Sequence, residues 1–203
     1  MRPDNVDVLL RQFNETLPKM DRLSPEDGGQ MVAKEDVSCV TGIAKQSVMK
    51  LDHSTRAETA MLIRRPVSEV FEAFVNPEVT TKFWFTDSTG RLEKGKEVEW
   101  TWKMYDFTGF VLVKELIPDQ SLEIEWGPRG APRSRAAWTF EPLDEHATFV
   151  SIVMDGFAGD EEAVFQNLIG SVGGFCWVLA GLKAWLEHQI RLNLVRDRFP
   201  NGK

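Results

Sequence analysis

From about residue 57 onward the chain alternates first with the period of a sheet and then with that of a helix. Glu58 to Arg64 is expected to be a strand, and Pro66 opens a helix with Val67, Val70, Phe71 and Phe74 on one stripe. Asn76-Pro77 stops that helix. A second short one, from Pro77 to about Lys82, leads into Phe83-Trp84-Phe85, an aromatic cluster that belongs under a sheet rather than in water. Val98, Trp100, Trp102 and Met104 then alternate with Glu97, Glu99, Thr101 and Lys103, the pattern of an antiparallel strand with one buried and one wet face. Phe107 to Ile117 continues as a strand up to the turn dipeptide Pro118-Asp119, after which Leu122, Ile124 and Trp126 alternate with Ser121, Glu123 and Glu125. Residues 135–141, with Trp138 and Phe140 on one face, and residues 147–154 complete a meander of about six strands.

Beyond a loop at 155–160 the period lengthens. A short apolar helical stretch, Ala163 to Ile169, is followed by Gly173-Gly174 and a helix running to about Arg198. On it Phe175, Leu179, Leu182, Leu186 and Ile190 share one side, with Lys183, Glu187 and Arg191 on the other. About 24 residues at 1.5 Å each span about 36 Å, enough to cross a small domain. These elements predict an α+β fold, a curved antiparallel β-sheet wrapped around a long C-terminal α-helix, with two short helices after the first strand. A twisted sheet of this size is concave, and one helix does not fill the hollow. Alternation puts Trp100, Trp102, Trp126, Trp138 and Phe140 on one face, with Trp84 beneath it and Phe175, Leu179 and Leu182 on the helix opposite. Such side chains either fill the core or leave an apolar slot, so these are the candidate ligand-binding residues.

The first 56 residues behave differently. Val6, Leu9, Leu10, Phe13 and Leu17 recur at helical spacing up to Pro18, and Ser24-Pro25-Glu26-Asp27-Gly28-Gly29 is a turn-rich linker. The division is therefore an N-terminal extension at 1–56, either an interaction element or an untethered terminus, and one domain at 57–203. With 203 residues, 42% of them hydrophobic, there is material for a single substantial core. A formal charge of −7 argues against nucleic acid and anionic membrane surfaces as partners. Cys39 and Cys176, the only two cysteines, lack metal-type spacing, which suggests a reducing, cytoplasmic setting. No signal peptide and no run of about 20 apolar residues, hence no membrane span, is expected.

The chemistry-bearing residues point to no cofactor. His53, His146 and His188 are scattered, and no metal site is expected from them. Asp155, Asp160, Glu161 and Glu162 read as a solvated acidic loop that favours a helix N-terminus. Ser47-Val48-Met49-Lys50 matches a nucleophile motif but lacks its companion motifs. Gly170, Gly173 and Gly174 fit no phosphate loop and are assigned to close packing or a turn entering the helix. Tyr105-Asp106 is the nearest thing to an acid–base pair, although a turn pair facing water explains it more simply. No catalytic residue is assigned.

Several segments look familiar in combination. Pro66-Val67-Ser68-Glu69-Val70-Phe71-Glu72-Ala73-Phe74, then Asn76-Pro77-Glu78 and Phe83-Trp84-Phe85, resemble the opening of START-like (SRPBCC) domains of the homologue family of the activator of heat shock protein 90 ATPase. Gly109-Phe110-Val111 with residues 118–126 resembles that family's central hairpin, and Trp177 with residues 182–187 its C-terminal helix. The resemblance covers about Ala57 to Phe199 and implies the helix-grip fold. It also implies three kinds of role. The first is binding of a small hydrophobic molecule, lipid- or polyketide-like, between sheet and helix. The second is a co-chaperone-type protein-binding module, although residues 1–56 show none of the Asn- and Trp-rich motif of eukaryotic co-chaperone members. The third is a cyclase- or aromatase-like enzyme. A homodimer is compatible with each.

Overall fold

The computed structural model describes residues 55–198. The helical pattern from Val6 to Leu17, Cys39, the Ser47 motif and His53 lie outside the described residues. In chain order the elements are Ala57–Ile63 (β1), Val67–Val75 (α1), Pro77–Thr80 (α2), Asp87–Ser88 (β2), Glu97–Trp102 (β3), Phe107–Ile117 (β4), Ser121–Gly127 (β5), Ser134–Asp144 (β6), Ala147–Asp155 (β7), Glu161–His188 (α3) and Leu194–Asp197 (α4). Asn76 separates the two short helices. Its backbone N–H closes α1 on the Glu72 carbonyl at 2.9 Å, while its side chain accepts from the Glu78 amide at 3.0 Å and caps α2.

The strands form one antiparallel sheet in the order β1-β7-β6-β5-β4-β3-β2. The expected meander is present from β3 to β7, and β1 returns to pair with the last strand. The additional seventh strand is the two-residue β2, with Asp87 opposite Thr101 and Ser88 opposite Trp100. Register shifts between Val113 and Glu115, and between Pro142 and Asp144, mark bulges that increase the local bend. The sheet is therefore curved, and α3 lies on its concave side.

Register decides which side chains meet there. Val111 lies opposite Trp126, Leu122 opposite Trp138, and Trp138 opposite Ile152, all facing inward. The outer face carries charge instead: Arg133 pairs with Glu97 at 2.6 Å, Arg129 with Glu99 at 3.2 Å, and Arg135 with both Glu123 at 2.8 Å and Asp155 at 3.1 Å. Inside, Phe85 stacks on Trp100 with centroids 4.8 Å apart, and Phe74 and Phe175 meet Trp138 at 6.0 and 5.8 Å. α3 comes down closely on this layer at Gly181, where a Cβ would lie only 3.2 Å from the Phe83 carbonyl oxygen.

The final helix differs from the sequence expectation at both ends. Instead of a short piece, a glycine break and a helix to Arg198, a single helix runs 28 residues from Glu161 to His188. It starts early because the Asp160 side chain accepts the Ala163 amide at 2.9 Å and Glu161 and Glu162 complement the helix dipole. It stops early because Gln189 turns left-handed, with its N–H on the Trp185 carbonyl at 2.9 Å. Ile190, expected on the apolar stripe, is therefore exposed, and Arg191 donates to the Thr81 and Lys82 carbonyls at 2.9 and 3.2 Å. Residues 163–182 carry no charged side chain. By length and composition α3 is apolar enough to cross a membrane, with mean hydropathy 1.5 over its most apolar stretch. Gln166, Asn167, Ser171 and the glycines interrupt its apolar pattern without adding charge, and core helices of this length and composition meet the same measure.

Candidate functional site

The two halves of α3 sit differently. Phe175, Val178, Leu179, Gly181, Leu182 and Leu186 are buried, whereas no residue from Glu161 to Gly174 is. The C-terminal half is embedded in the core, and the N-terminal half stands over a hollow. That hollow is a cavity of about 400 Å³, within the range typical of small-molecule sites. Its sheet-side wall includes Trp84, Trp102, Phe107 and Trp126, and its helix-side wall includes Asn167, Gly170, Ser171, Gly174, Phe175 and Val178. Pro132 at the β5–β6 hairpin and Ala158 before α3 also line it and are exposed, so it reaches the surface between those loops.

Of the residues singled out by alternation, Trp84, Trp102, Trp126 and Phe175 line this cavity. Trp100, Trp138, Phe140, Leu179 and Leu182 share the same interior but are packed solid, with Trp100 and Trp138 only 1% exposed. The division follows depth along the helix. Side chains facing the embedded half pack directly against it, and those nearer the raised half border the hollow. Met154 lines the cavity too, and the alternation of β7 with Val150 and Ile152 would have found it. Ser171 and Gly174 fall in the expected break between two helical pieces, which hides their place on one helix with Asn167.

The glycines have a different role from the one expected. A Cβ on either Gly173 or Gly174 would meet nothing within 4 Å, so neither serves close packing, and both lie inside α3 rather than at its start. Glycine in a helix interior costs about 1 kcal/mol relative to alanine. At Gly174, which lines the cavity, the missing side chain is part of the empty volume.

Tyr105 also lines the cavity and does not face water as a turn residue. It ends a 3-10 turn at Lys103–Tyr105, which the left-handed Asp106 closes, and its hydroxyl donates to the Val195 carbonyl of α4. Burial pushes its phenol up to about 12; Arg198 opposes and Asp197 reinforces the shift. The remaining polar lining is uncharged: Ser134, Gln166, Asn167 and Ser171. Gln166 donates to Glu162 at 2.7 Å. The indole N–H groups of Trp126 and Trp138 are sealed from solvent without an acceptor, each at a cost of about 1–3 kcal/mol. Among the described residues no group of three or more His, Cys, Asp and Glu side chains is close enough to hold a metal ion.

The family model described as activator of Hsp90 ATPase homolog 1-like protein matches residues 64–187. Among solved structures, a protein from Staphylococcus saprophyticus is 30% identical, with a TM-score of 0.58 over 68% of this chain and 95% of that one. The Aha1 dimer from Colwellia psychrerythraea matches 66% of this chain and 96% of its own at 15% identity and a TM-score of 0.57. DynU16, a putative protein in the dynemicin biosynthetic locus, matches 68% of this chain and 49% of its own at 19% identity and a TM-score of 0.58. At these lower identities the likeness concerns the fold. No curated protein matches the chain.

Proposed function

The chain belongs to the activator of Hsp90 ATPase homolog 1-like protein family, and from that premise we propose that it binds a small, largely apolar molecule, lipid- or polyketide-like, between the inner face of the sheet and the N-terminal half of α3. The observation that carries this reading is the cavity itself, some 400 Å³ of space walled by tryptophan and phenylalanine where a core-only role would have closed it. Gly174 supports it, because a helix under selection for packing alone gains from a side chain there. The free thiol Cys176, 3.3 Å from the Thr59 hydroxyl, fits a reducing, cytoplasmic setting.

A cyclase- or aromatase-like activity is less well supported. Tyr105 is the one titratable side chain in the described lining, and a phenol pushed up to about 12 stays protonated at neutral pH, poorly matched to act as a base. A partner-binding role has one observation in its favour. Phe165 and Ile169, one turn apart on α3 and outside the cavity lining, are 42% and 39% exposed.

The test is native mass spectrometry of freshly purified protein, for a carried-over small molecule and for oligomeric state, together with tryptophan quenching by the neutral probe N-phenylnaphthylamine. Gly174→Leu should fill the cavity and abolish saturable quenching, while Gly173→Leu, outside the lining, should leave it intact. Equal binding by both variants would sink the proposal.

A further inference from the structure

The chemistry of the two walls says more about the ligand. No described residue lining the cavity carries a charge. The guanidinium groups nearest in sequence to the cavity hairpin, those of Arg129, Arg133 and Arg135, are paired with glutamates on the outer sheet face. Glu162 is occupied by Gln166. Arg198 is not itself a lining residue; its guanidinium is engaged over the ring of Trp177, which does line the cavity, 4.8 Å from the centroid. A carboxylate, phosphate or ammonium seated against such walls would lose its hydration without gaining a counter-charge, which costs several kcal/mol.

Polarity is also distributed unevenly. The sheet wall is built from the aromatic residues Trp84, Trp102, Phe107 and Trp126, and the helix wall carries Asn167 and Ser171 at i,i+4 spacing beside Gly170 and Gly174. Side chains at this spacing lie on one line, with Cβ atoms about 5–6 Å apart. Neither the Asn167 amide nor the Ser171 hydroxyl hydrogen-bonds to any described residue, although both groups donate and accept. Gly174 leaves open space beside them, so a flat molecule can approach the helix backbone. Ser134 is the other hydroxyl of the lining, on the hairpin side.

From these two asymmetries we infer that the ligand is a neutral ring compound bearing a carbonyl or hydroxyl oxygen. Its ring body lies against Trp102, Phe107 and Trp126, and its oxygen hydrogen-bonds to Asn167 and Ser171. This inference deepens the binding reading above and rests on it. Asn167 and Ser171 are then the residues that select the oxygen, and the aromatic wall supplies affinity without regard to it.

The test uses three near-isosteric probes, acetylnaphthalene, ethylnaphthalene and naphthoate, substituted at the same ring position and titrated by tryptophan quenching. Wild type should prefer the ketone over the hydrocarbon by about fivefold, the worth of one net hydrogen bond, and should bind the carboxylate most weakly. Asn167→Ala and Ser171→Ala each raise helix propensity, so folding is not endangered. Together they should bring the ketone down to the level of the hydrocarbon and leave hydrocarbon binding unchanged. A ketone preference that survives both substitutions, or a wild type that binds the carboxylate best, overturns the inference while leaving the cavity a binding site. Failure of every probe to bind, with no difference between Gly174→Leu and wild type, overturns both readings.

Discussion

Tyr105 is the only tyrosine in the chain, so its ionisation can be followed spectroscopically without a second phenol contributing. Burial raises its pKa to about 12, which means the folded protein keeps the proton after an unfolded chain, at the ordinary value of 10.0, has begun to lose it. The stabilisation is therefore fully present below about pH 10 and lost as pH rises through about 12. Tyrosinate absorbance should show a midpoint near 12 in the native state and near 10 in denaturant; a native midpoint near 10 would place the phenol in water. Tyr105→Phe should flatten the alkaline limb of the stability curve and cost about 1 kcal/mol at neutral pH through loss of the Val195 hydrogen bond. At Gly174 the direction is opposite. Gly174→Ala should stabilise the fold by about 0.5–1 kcal/mol, because the new methyl meets no atom within 4 Å and the helix loses a flexible residue.

At the scale of elements, α3 is fastened at its C-terminal end, and among the described residues no comparable cluster of hydrogen bonds holds its N-terminal end. Near its C-terminus Glu187 accepts the Arg64 amide at 2.7 Å and the Lys183 ammonium at 2.5 Å, and Lys183 also donates to the Leu62 carbonyl at 2.8 Å. This cluster clasps the helix to the end of β1. Burial alone would raise the Glu187 carboxyl, but the Arg64 amide and Lys183 together hold it below its ordinary value. On acidification the unfolded chain therefore takes the proton first, so the stability contributed by Glu187 is present above pH 4.5 and lost below it. Glu187→Gln should be less stable than wild type at neutral pH by about 2 kcal/mol and should show a shallower acid limb in urea titrations. Parallel acid limbs would show that the clasp does not depend on charge. Strands β3 to β7 were legible in the sequence because alternation has a period of two that turn dipeptides interrupt visibly. The continuity of α3 was not legible, because Gly170, Gly173 and Gly174 are normally helix breakers and divide the expected helix in two, although the acidic residues at 160–162 already favour a helix start. The candidate site was legible to the same extent. The sheet's aromatic residues could be read from alternation, whereas the alignment of Asn167, Ser171 and Gly174 on one wall depended on the helix continuing through its glycines.

For the molecule as a whole, the clasp and the cavity together predict uneven stability along a single helix. The half of α3 beyond Gly174 is held by the core and by Glu187, while the half before it has an uncovered hollow on one side. Amide exchange should thus be fast from Glu161 to about Gly174 and slow from Phe175 to Leu186, although both belong to one continuous hydrogen-bonded element. A ligand that fills the hollow stabilises the native state by mass action, by about 2.7 kcal/mol at a hundredfold excess over its Kd. That gain should appear first in the segments bordering the cavity: the N-terminal half of α3, the Phe157 loop, and α4 through Val195. In β6 and β7, each hydrogen-bonded to a neighbouring strand on both sides, exchange proceeds through global opening and should slow only by the global amount. Hydrogen-exchange mass spectrometry with and without saturating acetylnaphthalene separates the two patterns. Protection confined to the outer sheet face, or to Phe165 and Ile169 alone, would move the binding surface away from the hollow and favour a docking protein over a small molecule.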